Sequence, residues 1–145
     1  MSTPTPEHAR LDALVGTWIG EERLHGGVTG RTKSVAHRDM GYFVVADHYQ
    51  ERSDGRSYHN HLVYGYDEKN KRYTVVQYDS GGRGGDTHFG AWDGNSLTYQ
   101  VDTPGGLFRY GYTFHGTDAY TFRFARSKDA GATWDEIVFG EFKRV

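Results

Sequence analysis

The chain contains no cysteine, only two methionines, and no apolar run long enough to span a bilayer. Without cysteine there are neither disulfides nor thiolate metal sites. That fits a reducing compartment, and a cytoplasmic protein is expected. The opening Met1-Ser2-Thr3-Pro4-Thr5-Pro6 has no basic or apolar stretch of the kind that targets a chain, so no membrane partner is expected. Clustered basic charge is missing as well. Seventeen Lys and Arg face nineteen Asp and Glu, for a net charge of −2 with neutral histidines, and the cations are scattered singly among the acids. Nothing there matches a phosphate backbone, which argues against nucleic acid as a partner. The eight histidines add positive charge only below about pH 6.5.

What the chain does have is rings and glycine. Eleven Tyr, eight Phe, three Trp and 20 Gly are the composition of pleated strands joined by tight turns, with flat rings packing across neighbouring strands. At 145 residues one domain is expected, burying about 68 to 70% of its unfolded surface. Residues 1–5 read as a disordered lead and 6–145 as the domain. Thr5-Pro6-Glu7 supplies a cap, a first-turn proline and an acid for a short helix. Leu11, Leu14 and Val15 share one face of it, and Gly16 is expected to stop it.

After Gly16 the sequence is strand and turn. Turn signals fall at Gly26-Gly27, Met40-Gly41, Asp54-Gly55, Asp67 to Lys71, Ser80 to Gly85, Asp93-Gly94, Pro104-Gly105-Gly106, His115 to Asp118 and Lys128 to Gly131. Nine turns imply ten strands. Alternation places Phe108, Tyr110, Tyr112 and Phe114 on one side of their strand, and Tyr120, Phe122 and Phe124 on one side of the next. These aromatic faces are expected to point inward. Consecutive strands with short turns favour an all-β, ten-stranded, antiparallel up-and-down barrel over a sandwich. Its interior would hold side chains or one small ligand, not an aqueous channel.

Gly16-Thr17-Trp18 after a short helix resembles the Gly-x-Trp start of the calycin group, which includes lipocalins, fatty-acid-binding proteins and nitrobindin-like barrels. Several further segments resemble an uncharacterised bacterial family of lipocalin-like barrels, domain of unknown function 1579. They are Leu14 to Gly20, His61 with Gly65-Tyr66-Asp67, Lys71-Arg72-Tyr73, and the terminal Glu141-Phe142-Lys143-Arg144. The resemblance covers nearly the whole chain and implies a calycin-like barrel. Likeness to nitrobindin raises haem, whose axial histidine in that family looks to come from the C-terminal strand. Trp134 to Phe142 contains no histidine here. The Arg-x-Tyr with which fatty-acid-binding proteins clamp a carboxylate on a late strand is missing too. No cofactor is expected.

The candidate ligand contacts are Trp18, Tyr64, Trp92, Tyr99, Tyr110, Tyr112 and Phe122. Trp18 is expected above all to plug one end of the core, since a large ring near a closed end fills volume. His59 and His61, two apart on a strand, point to one face and are weak candidates for a metal site with His48 or His88 as a third ligand. Against that, Tyr58, Leu62, Tyr64 and Tyr66 occupy the other face and would leave both imidazoles in solvent if buried.

Ser127 to Trp134 matches one copy of the Asp-box pattern, read as a hairpin element in which Ser127 and Asp129 bond turn amides and Gly131 takes a positive φ. The absence of any repeat argues against the propellers in which the box is familiar. Gly81-Gly82-Arg83-Gly84-Gly85 lacks the features of a phosphate loop and is expected to form a flexible loop at the barrel rim. The function expected is binding of a small, largely apolar or aromatic molecule inside the barrel. The alternative is a cofactor-free isomerase or cyclase using His48, His61 or His88 as acid or base, with tyrosines orienting the substrate. Exposed aromatics on the outer wall would fit a homodimer.

Overall fold

A computed structural model describes residues 3–145. Met1 and Ser2, part of the expected lead, lie outside the described residues. Thr5 is the N-cap of helix α1 (Pro6–Ala9), its side chain and backbone paired with His8 in a capping box. A 3-10 helix, Arg10–Leu14, follows at once. Gly16 does not end this segment as expected: Val15 is the extended C-cap, and Gly16 opens the first strand with φ 133°.

Ten antiparallel strands follow: β1 (Gly16–Leu24), β2 (Thr29–Asp39), β3 (Phe43–Arg52), β4 (Ser57–Asp67), β5 (Arg72–Asp79), β6 (Gly84–Asp93), β7 (Ser96–Thr103), β8 (Gly106–Phe114), β9 (Ala119–Ser127) and β10 (Asp135–Arg144). Each pairs with its sequence neighbours, and β1 pairs with β10, closing an up-and-down barrel. Closure leaves no unpaired edge. No helix among the described residues is long and apolar enough to cross a membrane.

The alternation of each strand divides the barrel along its axis. The helical segment caps one end. Leu11 and Leu14 are buried beneath it, and the Trp18 Nε1 donates to the Leu14 carbonyl at 3.0 Å. Trp18 meets Tyr120 edge-on at 4.7 Å between centroids, and Tyr120 stacks on Phe142 at 4.8 Å. Phe142 lies flat across β1 because residue 20 is glycine; a Cβ there would collide with its ring. Arg144 reaches back to the Val15 carbonyl and lies 4.3 Å over the Trp18 ring. This end is packed solid with rings.

Two irregularities shape the other, open end. In β10 the register shifts between Glu136 and Val138, so the extra residue, Ile137, joins Val138 on the inner wall. In the β5 to β6 ladder the register shifts between Val76 and Tyr78, opposite Gly84 and Gly85. These two glycines have φ 137° and 96° and belong to the start of β6. The expected five-residue rim loop is therefore shorter, with Gly84 paired to Tyr78 and Gly85 in the bulge, both at a positive φ that favours glycine. The Asp129 box forms as expected: Ser127 Oγ accepts the Gly131 amide at 2.8 Å, Asp129 Oδ1 accepts the Thr133 amide at 2.8 Å, and Gly131 has φ 94°. Side-chain and backbone bonds from Thr133 hold the Asp129 carboxyl down at about 2.

Candidate ligand cavity

The open half of the barrel encloses a cavity of about 800 Å³. Its two sides differ. On β8, β9 and β10 the wall is Phe108, Phe122, Phe124, Ile137 and Val138, with Val101 beside them on β7. On β1 to β5 it is Glu22, Thr32, His48, Gln50, Asn60 and Gln77. Arg52, Arg56, Arg83, Asp54 and Asp86 ring the mouth. The asymmetry is written in the inward-facing alternate positions: most of the rings come from the C-terminal strands and most of the polar groups from the N-terminal ones, with Leu24, Tyr58 and Leu62 among them.

The polar wall is hydrogen-bonded in sequence. The Arg52 Nε donates to Gln50 Oε1 at 2.6 Å, which turns the amide nitrogen the other way. That nitrogen donates to Glu22 Oε1 at 2.8 Å, and the Thr32 hydroxyl donates to the same oxygen. Asn60 Nδ2 donates to Gln77 Oε1 at 3.1 Å, while Asn60 Oδ1 is buried with no partner among the described residues. Tyr58 donates to Asp79 at 3.0 Å; burial first, and then that carboxylate, push its hydroxyl up to about 12.

His48 faces inward on β3 and lines the cavity, and burial pushes its imidazole down to about 4 against a weaker opposing pull from Asp47. His88, also on the wall, has its Nδ1 2.6 Å from the Tyr110 hydroxyl. Burial raises Tyr110 well above the usual phenol range, so Tyr110 keeps its proton. The His88 tautomer that accepts at Nδ1 carries its hydrogen on Nε2. Burial also lowers the His88 imidazole, with Asp86 opposing.

Of the residues singled out from sequence, Tyr110, Tyr112, Phe122, His48 and His88 meet around this cavity. Trp18, Tyr64 and Tyr99 do not; they are buried in the packed core, where the Tyr64 and Tyr112 hydroxyls share a 2.5 Å hydrogen bond. Trp92 lies toward the capped end, against Phe114 and beneath the Arg10 guanidinium. His61 is not on the barrel lining. Tyr58, Asn60, Leu62 and Tyr64 take the inner face of β4, so period-two alternation sends His59 and His61 outside. There both share Asp47 Oδ1, at 2.9 and 2.8 Å, and Tyr49 stacks on His59. Burial alone would raise Asp47, but bonds to His61 and His59 hold its carboxyl below the ordinary value. Among the described residues no group of three or more His, Cys, Asp or Glu is arranged to hold a metal ion.

Sequence reasoning misses Glu22, Thr32, Gln50 and Asn60. A signal exists for Glu22, which follows Trp18 and Gly20 at intervals of two and so shares their inward face.

The family described as "Protein of unknown function (DUF1579)" matches residues 3–144. The chain belongs to this family. No curated protein matches it. Among solved structures, the DUF1579 chain is similar to Rv2717c from M. tuberculosis, at 12% identity and TM-score 0.71, covering 98% of this chain and 99% of that one. It is also similar to a de novo designed fluorescence-activating β-barrel, at 17% identity and TM-score 0.53, covering 90% and 93%. A third likeness is to a redesigned barrel, mFAP0, solved bound to DFHBI, at 13% identity and TM-score 0.55, covering 91% and 99%. At these identities the likeness is one of fold.

Proposed function

We propose that this DUF1579 protein binds a small, largely aromatic or apolar molecule in the open half of its barrel. The observation that carries the reading is the cavity of about 800 Å³ with rings on one side and positioned polar groups on the other. Ligand sites commonly occupy about 300 to 1,000 Å³, with an apolar lining and a few polar groups that fix orientation. Designed barrels of similar fold, one described as fluorescence-activating and one solved with DFHBI bound, support it as precedent for the architecture. Native mass spectrometry of the purified protein, together with titration of a polarity-sensitive aromatic dye, tests the reading. Val101→Trp puts an indole into the cavity and is expected to abolish the dye response; a response unchanged by it would refute binding there.

A second reading is favoured by one observation, the 2.6 Å pairing of His88 with Tyr110 on the cavity wall. An imidazole hydrogen-bonded to a phenol on a cavity wall is equipped for acid–base work, as an isomerase or cyclase needs. Turnover of the retained ligand that survives His88→Ala and His48→Ala would sink it. On the outer wall Tyr49 and Tyr78 are 47% and 52% exposed, a surface that would fit a homodimer; light scattering at micromolar concentration reads that directly.

A further inference from the structure

We propose that the cavity is specific for a cationic ligand: an aromatic or apolar body carrying a protonated amine or a similar N–H-bearing head, seated on Glu22. The inference rests on the cavity being a binding site and names the chemistry of its occupant. Glu22 is 7% exposed and lines the cavity floor. Its Oε1 takes both available protein donors, Thr32 and Gln50. Its Oε2 has no hydrogen-bond partner, and Glu22 has no ion pair, among the described residues. A carboxyl group taken this far out of water without a counter-charge is costly to keep.

The surroundings are built to hold it there. Glu22 is opposite Gly140 on one neighbouring strand and Gly30 on the other. A Cβ at Gly140 would stand 2.8 Å from Glu22 Cγ, and one at Gly30 would stand 3.0 Å from the Gln50 amide. Both glycines therefore clear the space that the carboxyl and its amide partner fill. Arg52 fixes the orientation of the system. A guanidinium only donates, so Gln50 must turn its oxygen to Arg52 and its NH₂ to Glu22, and the arginine's charge stays one side chain away from the carboxyl.

Asn60 Oδ1, a buried acceptor with no partner among the described residues, lies on the same wall. The cavity thus offers acceptors where a ligand would place donors. Tyr112, Phe122 and Phe124 line the cavity with aromatic rings, whose faces favour a cation over an anion. An anionic head seated at Glu22 would meet its carboxyl directly and gain nothing from Arg52, which is committed to Gln50 and lies over Tyr58, while Arg56 and Arg83 at the mouth pair with Asp54 and Asp79.

The test uses three probes of one shape: 2-naphthylmethylamine, 2-naphthylmethanol and 2-naphthoate, titrated calorimetrically at pH 7 into the wild-type chain and Glu22→Gln. The amine is expected to bind wild type about tenfold or more tighter than the alcohol, as a charge-assisted contact does, with the acid weakest. In Glu22→Gln the preference for the amine over the alcohol is expected to vanish. Alcohol or acid binding wild type as well as the amine does would overturn the cationic specificity and leave the cavity reading standing. No binding of any probe at millimolar concentration would overturn both. The wild-type ranking decides the matter even if the variant does not fold.

Discussion

Acidification should destabilise this protein chiefly through one residue, His48, and the size of the effect follows from its surroundings. Burial holds its imidazole at about 4, against 6.5 for an ordinary histidine. Above pH 6.5 the ring is neutral in both folded and unfolded chains and contributes nothing. As pH falls below 6.5 the unfolded chain takes up a proton that the folded one refuses, and stability drops until the folded ring also titrates, near 4. At about 1.36 kcal/mol per pH unit, the whole loss is roughly 3 kcal/mol. That figure is an upper bound, because the ring faces a cavity that water can enter. Between pH 7 and 5 the loss comes to about 2 kcal/mol, a shift on the order of 1 M in a urea midpoint. His88 acts with the same sign but is present in wild type and variant alike. Asp47, whose carboxyl is lowered, loses its contribution only as pH falls below 3.8, outside this window. The assay is urea unfolding of wild type and His48→Gln at pH 7, 6 and 5. The variant is expected to lose markedly less stability across that range. Parallel losses in the two proteins, or a His48 ring proton signal that titrates near pH 6, would refute the reasoning.

Trp18→Ala should cost roughly 3 to 5 kcal/mol, since the indole is 1% exposed and its loss also frees the Leu14 carbonyl, with thermal melts as the readout. Gly84→Ala should destabilise by more than about 2 kcal/mol because its Cβ would collide with the Gln77 carbonyl oxygen at φ 137°, whereas Gly82→Ala, with open space around it at φ 79°, should cost about 1 kcal/mol or less. Equal melts for these two variants would remove the bulge argument. Asp129→Ala should speed hydrogen exchange at the Thr133 amide while leaving the global unfolding transition almost unmoved, because the bonds it loses lie within one exposed turn.

The barrel is legible in the sequence because its signals are local. Turn chemistry at nine places and alternation within each strand set strand number and facing, and the aromatic runs of β8 and β9 point inward as the alternation requires. The site is less legible because a cavity is a relation between strands. Tyr64 and Tyr112 sit on inner faces with the same pattern, yet only Tyr112 reaches the cavity, since height along the axis depends on register and tilt. His61 is misplaced by sequence reasoning for a related reason. The alternation of Tyr58, Leu62 and Tyr64 argues against an inward His61, but a histidine pair on one strand draws attention away from that pattern. Glu22 escapes notice because a lone acid in a strand reads as a solvated side chain until its register partners, Gly30 and Gly140, are known.

Those partners bear on what the open half is for. Glycine within a strand weakens it by roughly 0.5 to 1 kcal/mol relative to alanine, and a buried carboxyl without a counter-charge weakens the fold further. A barrel selected for stability alone would fill this space as its other end is filled, with Leu11, Leu14, Trp18, Tyr120 and Phe142. The helical cap and those rings already close and anchor the molecule, so the fold does not depend on the carboxyl of Glu22 in the open half. A nearly buried carboxyl and an unpartnered amide oxygen, Asn60 Oδ1, on the wall of one accessible cavity are what is expected when part of a structure answers to a ligand. A ligand that supplied a donor to Glu22 would satisfy its free oxygen, and binding would then raise the unfolding temperature most for the ligands that carry such a donor.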